Sequence, residues 1–414
     1  MDRIVRSLQA IPYKMRIVLA ACLLGLVSGL AGIFLHFLLE LVEKLAFGRS
    51  EHESGFLTDG VSPSRIWISL LLVGISSALV WYFLQRKGKL LSIKGQMKDE
   101  NFRPTLHFWE QLFHSSWQII AVGAGAPVGK EGAPREIGAL LANPLGRVLD
   151  LSFKDRMFLI ACGAGAGLAA VYQVPLTSVF FIFETLGIAF TIQRFVLAGI
   201  TTYIAAYVAA WVISDQALYQ MPEMTWSPTI LWQMIVLMVI LTPVAWLFAH
   251  FTKKASVHRV KNKGILITLP LAFLFLACLA TYQPHLLGNG RMVAQEVING
   301  ISWKTAFLLF VLKALVVLLT LWAGAYGGTL TPSFALGMAG AAIFTLAFGL
   351  ESPSTILLIG AVCFLTVTLK APFSATGLVL GFTGQGVDAL PYLLITAFLT
   401  VGLAQRLDRL MGRK

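Results

Sequence analysis

Apolar residues run along this chain in blocks of about twenty, and charged residues are largely confined to the gaps between blocks. Charge-free stretches at 17–39, 66–84, 195–214, 229–252, 264–284 and 314–350 each come close to or exceed the roughly 20 residues an α-helix needs to cross a bilayer. The last is long enough for two segments. In hydrocarbon every backbone polar group has to be satisfied within its own segment, so these blocks predict helices. The first block is too long for a signal-peptide core and precedes no small-residue cleavage site, which makes it a retained helix.

Composition and charge agree with that pattern. Of 414 residues, 57% are hydrophobic and 13% charged, and a soluble globule carries about 25% charged residues. Mean hydropathy is +0.78. The formal net charge of +12 would suit a nucleic-acid binder, yet the basic residues sit at the ends of apolar blocks, where membrane topology puts them. Arg3, Arg6, Lys14 and Arg16 precede the first block, Arg86, Lys87, Lys89, Lys94 and Lys98 follow the second, and Lys253, Lys254, Arg259, Lys261 and Lys263 form a third cluster. Arg406, Arg409, Arg413 and Lys414 close the chain. No nucleic-acid partner is expected. The positive-inside rule places both termini in the cytoplasm and the acidic loop 51–59 outside. Cys22, Cys162, Cys278 and Cys363 are far apart in apolar sequence, and the seven histidines form no HExxH or Cys/His set. Neither a metal site nor a disulfide framework is indicated, and no cofactor is expected.

Two of the apolar regions are interrupted in the same way. Gly129-Lys130-Glu131-Gly132-Ala133-Pro134 places a carboxylate between glycines, and Gly327-Gly328-Thr329-Leu330-Thr331-Pro332 repeats the interruption in the second half. Pro175 lies 37 residues beyond Gly138, and Pro372 lies 35 residues beyond Gly337. Aligning Gly138 with Gly337 puts Glu131 opposite Leu330. Interrupted helices at matching positions of two halves point to a transporter-like fold with its site near the midplane. A helix that starts inside the protein presents unpaired N–H groups and a partial positive charge, which attract anions. A charge at membrane depth is costly and functional. Glu131 therefore reads as an anion mimic on that site or as a proton-carrying gate over it, and the two roles are compatible.

At these residues the chain resembles the CLC family of chloride channels and proton-coupled chloride antiporters. Gly129-Lys130-Glu131-Gly132 is similar to the family's G-K/R-E-G-P motif, and Gly328-Thr329-Leu330-Thr331-Pro332 to its G-x-F-x-P motif. The run from Ala169 to Leu176 and the pair Arg103-Pro104 match two further elements, so the likeness extends from about Arg86 to Gln405. It implies an all-α integral membrane fold of two inverted-topology repeats built from tilted and broken helices, in a homodimer whose subunits each carry an anion pathway. The gating glutamate maps to Glu131, and the donors holding the central anion map to the backbone of Thr329 and Leu330. Gly129, Lys130, Gly132, Ala133, Gly328 and Thr331 complete the candidate anion-binding set.

The departures from the family pattern are specific. The first motif's proline is displaced to Pro134, and the second motif's phenylalanine is Leu330. The family's Gly-Ser-Gly-Ile-Pro run has no clear counterpart in 88–95, where Ser92 is the candidate substitute, and the coordinating tyrosine near the family's C-terminal end is missing. The second, proton-relaying glutamate falls on Thr185, one residue after Glu184. Glu184 is then either a substitute proton carrier or a hydrogen-bonded helix residue. Arg135 and Glu136, in the first turn after Glu131, either orient its carboxylate or complement the helix dipole. Lys313 and Lys370 either draw anions toward the pore or snorkel to the headgroups.

The expected organisation is one transmembrane domain with a first half at 15–214, a second at 228–405 and a short basic tail at 406–414, in a bacterial inner membrane. With nine residues after Gln405, no appended nucleotide-sensing domain is expected. The expected activity is anion transport, with chloride or another small anion and protons as partners and the lipid bilayer as solvent. The rival is a cation-coupled secondary transporter using Glu131 and Glu184, but only one of the two matched junctions carries an acid. An intramembrane enzyme would need a nucleophile–base pair or a metal set, and neither is present.

Overall fold

The computed structural model describes residues 11–51, 56–87, 90–98, 104–214, 216–350 and 353–411. Arg3, Arg6, Lys89, Arg103, Arg413, Lys414 and positions 52–55 of the acidic loop lie outside the described residues. Sixteen α-helices occur among those described. In chain order they are α1 (Tyr13–Phe47), α2 (Pro63–Lys87), α3 (Ile93–Lys98), α4 (Pro104–Gly123), α5 (Gly132–Val148), α6 (Phe153–Tyr172), α7 (Pro175–Glu184) and α8 (Ile192–Ala209). The second set is α9 (Pro228–Val257), α10 (Ile265–Tyr282), α11 (Arg291–Asn299), α12 (Trp303–Ala323), α13 (Leu330–Phe348), α14 (Pro353–Leu369), α15 (Pro372–Thr383) and α16 (Leu390–Leu410).

Local chemistry sets many of these boundaries. Helices α2, α4, α7, α9, α14 and α15 each begin on a proline, whose fixed φ suits a first turn and whose missing N–H costs nothing there. Ser152, Thr191 and Ser302 cap α6, α8 and α12 by accepting from the backbone N–H three residues on. Among the described residues nine helices are long and apolar enough to span a membrane: α1, α2, α6, α8, α9, α10, α12, α13 and α16. The apolar block at 314–350 divides into α12 and α13, as its length predicts. Helix α16 escapes a charge-free criterion because Arg406, Asp408 and Arg409 lie in its C-terminal end, whereas α6 belongs to a further charge-free run, 157–183, that continues through Pro175 into α7.

The described residues fall into two compact units. One lies within Met1–Leu38, Leu84–Ile119 and Glu131–Gln216, the other within Leu39–Phe83, Ile120–Lys130 and Ala217–Lys414. In the first, α6 is the buried centre, packed by α5, α7 and α8. Helices α5 and α6 meet backbone to backbone: a Cβ on Gly138 would lie 2.0 Å from the Gly163 carbonyl oxygen, and one on Gly167 would lie 2.0 Å from that of Pro134. Only glycine fits such a crossing. The α1 residues Leu26, Leu30 and Phe34 are exposed, the apolar surface a bilayer covers.

In the second unit α13 and α14 form the centre, again at a glycine crossing, with a Cβ on Gly337 falling 2.5 Å from the Gly360 oxygen. The connection before α9 folds back on this centre. Tyr219 stacks on Phe334 with ring centroids 4.9 Å apart, its N–H donates to the Phe382 oxygen, and burial pushes its phenol up from its ordinary value. The order α5–α6–α7 in one unit thus recurs as α13–α14–α15 in the other. Between the last two helices of each set stands a non-glycine residue at positive φ, Gln173 at 54° and Lys370 at 56°, followed by one residue and the proline that starts the next helix.

Candidate functional site

The two interruptions predicted from sequence are both present. After α4 the chain turns at Gly125, with φ 108°, and bends at Pro127 and Val128, where the Val128 N–H donates to the Ala126 oxygen at 2.9 Å, before reaching Gly129. The Gly129 N–H donates to the Gly328 oxygen at 2.7 Å and the Gly328 N–H donates to the Gly129 oxygen at 2.8 Å, a one-pair antiparallel bridge. The backbone preceding α5 is thereby tied to the backbone preceding α13. Both glycines are buried.

Glu131 is the N-cap of α5, with φ −69° and ψ −14°, and is fully buried, yet its side chain makes no capping bond to its own helix. Gly132 and Ala133 supply the first N–H groups of α5, and Pro134, the third residue, has none. Thr329 is the N-cap of α13, also without a side-chain cap, and Leu330 and Thr331 precede Pro332 as the third residue. Counted from the helix starts, Glu131 stands opposite Thr329, not Leu330. The glycine alignment misplaces it by one because Gly138 is the seventh residue of its helix and Gly337 the eighth. The candidate residues Gly132, Ala133, Leu330 and Thr331 are buried at first-turn positions, whereas Thr329 is half-buried.

Arg135 and Glu136 are the fourth and fifth residues of α5, beyond its first turn, and neither contributes to capping. The Arg135 Nε–H donates to the Glu131 backbone oxygen at 2.7 Å, and its guanidinium lies 5.5 Å from the Phe181 ring centroid. It therefore braces the junction's main chain. Glu136 turns to α4, where its Oε2 accepts from the Ser115 hydroxyl at 2.9 Å and the Gln118 amide at 2.8 Å, with His114 Nε2 3.6 Å away. Glu184 ends α7 half-buried. Ser92 is exposed at the start of α3, and its Oγ accepts from the Gly95 N–H at 3.2 Å, which leaves its hydroxyl proton uncommitted by that bond.

A buried ionic cluster was not legible in the sequence. Glu51, placed by the sequence in an acidic loop outside the membrane, is buried, at 5% exposed. Its Oε2 lies 4.0 Å from Lys130 Nζ and 3.5 Å from Arg291 Nη1, and its N–H donates to Glu43 Oε2 at 3.0 Å. Lys313 is fully buried and donates to the Leu286 and Gly288 oxygens at 2.8 and 2.7 Å. The Gly288 N–H donates in turn to the Gly125 oxygen at 3.2 Å. The segment before α11 is thus fastened to the turn that opens the first interruption. The available signal was one charge stranded in apolar sequence, Lys313.

Chemically, each interruption is a buried helix start with orphan backbone donors, and one carries an ionisable carboxylate. Lys130 has its ammonium beside Glu51, so at this junction the donors left for a ligand are peptide N–H groups. These attract an anion without the strong fixed charge that would trap it.

The chain as a whole is similar to known proteins. The chain is 26% identical over 417 aligned residues to the "H(+)/Cl(-) exchange transporter ClcA" of Vibrio vulnificus, covering 93% of this chain and 85% of that protein. Two solved structures are similar at 20% identity. A slow cyanobacterial Cl-/H+ antiporter matches with a TM-score of 0.81 over 95% of both chains, and a CLC-type fluoride/proton antiporter with 0.74 over 94% of this chain and 95% of that one. The all-helical CLC-like architecture expected from the sequence is the fold shared with them. The profile described as voltage gated chloride channel matches residues 73–405, and with that match over most of its length the chain belongs to the voltage-gated chloride channel family.

Proposed function

We propose that the protein exchanges chloride for protons across the bacterial inner membrane, with Glu131 as the gate. The observation that carries this reading is a fully buried carboxylate at the N-cap of a broken helix, in a chain whose relatives are named as proton/chloride exchangers. Deprotonated Glu131 competes with the anion for the positive start of its helix, and protonation or an arriving anion displaces the side chain. A displaced carboxylate that takes up a proton on one side and releases it on the other couples the two fluxes. Gly132 and Ala133 in one junction and Thr329, Leu330 and Thr331 in the other offer backbone donors, with Gly129 and Gly328 fixing the preceding chain. Lys130 contributes its backbone, since its ammonium is paired with Glu51. Ser92 offers a hydroxyl proton at the start of α3, and Glu184 is the remaining candidate proton carrier. The functional unit is a homodimer with both termini in the cytoplasm, and the protein is a transporter, not an enzyme.

The test is chloride efflux from proteoliposomes with simultaneous external pH recording. The natural chain is expected to move protons against their gradient as chloride leaves, and Glu131→Ala to pass chloride without protons. Chloride movement with no proton movement in the natural chain would make it a channel. Absence of chloride flux in both would refute the proposal.

A further inference from the structure

Apart from the two interruptions, the second unit contains a cavity of about 400 Å³ between the ends of α9, α14 and α16 and the start of α15. Its apolar wall includes Trp246, Val367 and Val401, and its polar lining is His250, Lys253, Lys370 and Asp408. Cavities of this size with a few converging polar groups are the usual form of a small-ligand site.

Three observations give the cavity a sign. Lys253 and Lys370 outnumber Asp408, both of whose oxygens are engaged: Oδ1 accepts from the Trp246 indole N–H at 2.8 Å, and Oδ2 lies 3.6 Å from Lys370 Nζ. Thr366 lines the cavity, is 1% exposed, and its Oγ1 has no hydrogen-bond partner. A buried hydroxyl without a partner costs on the order of 1–3 kcal/mol, so a ligand acceptor placed there gains that bond. Pro372, on the same wall, begins α15, a helix of 12 residues whose N-terminus has no side-chain cap. Two cationic side chains, an unpartnered hydroxyl and the positive end of a helix favour an anion with several acceptor oxygens.

The position narrows the ligand. In the orientation given above, the basic cluster beginning at Lys253 lies at the cytoplasmic face, and an indole beside lysines at the end of a spanning helix is the composition of a headgroup layer. The apolar wall continues that site toward the hydrocarbon. We propose that this cavity binds a phosphate group presented by an anionic phospholipid of the inner leaflet, with Lys253 and Lys370 as counter-charges and Thr366 as hydroxyl donor.

Native mass spectrometry of the full chain, released from nanodiscs holding phosphatidylglycerol and phosphatidylcholine, tests this. The natural chain is expected to retain phosphatidylglycerol in preference to phosphatidylcholine. Lys253→Gln combined with Thr366→Val should weaken that retention about tenfold, the worth of lost hydrogen bonds to a charged group, while leaving chloride efflux intact. Thr366→Ser, which keeps the hydroxyl, should retain lipid like the natural chain. Calorimetric titration with inorganic phosphate in neutral detergent separates the sources: saturable binding lost in the double variant would support a phosphate site supplied from solution. Equal retention of the two lipids together with no phosphate binding would overturn the proposal. So would unchanged phosphatidylglycerol retention in the double variant, and so would a loss of chloride flux with retention unchanged, which would place these residues on the ion's route.

Discussion

Replacing Gly167 by alanine puts the new methyl 2.0 Å from the Pro134 oxygen, 2.5 Å from its carbonyl carbon and 3.1 Å from the Arg135 nitrogen. All three are backbone atoms, so no rotamer change relieves the clash. Reaching the 3.0 Å that Cβ atoms tolerate requires α5 and α6 to part by about 3.0 − 2.0 = 1.0 Å, and an unstrained 3.4 Å requires about 1.4 Å. Overpacking of this kind costs about 1–3 kcal/mol. The displaced peptide belongs to the first turn of α5, which also holds the Gly132 and Ala133 donors. For half a unit charge at a helix end and an effective dielectric constant of about 20, moving an anion from roughly 3.5 to 4.5 Å weakens it by about 0.5 kcal/mol, or roughly twofold. Gly167→Ala is therefore expected to lower the thermal midpoint in detergent and to weaken anion binding in calorimetry. Gly199→Ala in α8, where a Cβ meets nothing within 4 Å, is the matched control and should be neutral or slightly stabilising, as alanine is the better helix former. Equal midpoints and affinities for Gly167→Ala and the natural chain would refute the close-crossing argument.

Four further substitutions probe polar contacts. Glu51→Gln leaves Lys130 and Arg291 buried without their counter-charge and should cost about 3–5 kcal/mol, read as a lower unfolding midpoint; an unchanged midpoint would mean the cluster is solvated. Lys313→Met keeps the volume but strands the Leu286 and Gly288 carbonyls, at about 1–3 kcal/mol each, and hydrogen exchange at Gly288 and Asn289 should quicken while that in α13 stays slow. Gln118→Leu removes one of two donors from Glu136 Oε2 and should lower stability by about 1–3 kcal/mol, whereas Ser92→Ala, at an exposed cap, should stay within about 1 kcal/mol; a ranking reversed in thermal unfolding would contradict the burial argument.

What could be read from the chain was what local chemistry dictates. The interruptions were visible because glycine, proline and a charge coincide inside apolar blocks, a combination that an unbroken spanning helix does not need. The end of α7 at Glu184 and the break between α12 and α13 follow from the same signals. Helix α16 was hidden by charges that belong to its end turn, since a window that counts charge does not know where a helix ends, whereas α6 stands in the charge-free run 157–183, which merges it with α7. The repeat register was off by one because packing glycines follow the helix crossing, while prolines follow the helix start. Glu51 was unreadable for a different reason. Its partners Lys130 and Arg291 are distant in sequence, and nothing in a short acidic loop announces that it folds inward. The roles of Arg135 and Glu136 likewise depend on which helix each side chain meets.

The Gly129–Gly328 bridge constrains chain length as well as residue type. It is held by main-chain atoms alone, two hydrogen bonds at 2.7 and 2.8 Å, and beside it a Cβ on Gly327 would fall 2.3 Å from Val128 Cγ2. Adding or removing one residue between Gly125 and Gly129, or between Gly324 and Gly328, slips the pairing by one position and turns a donor to where an acceptor is needed. Insertions at these two turns are therefore expected to be lethal to the fold even when made of small, innocuous residues, although loops elsewhere absorb them readily. Should both turns lengthen together, the pairing could re-form in a new register, so the two segments are free to change in length only as a pair.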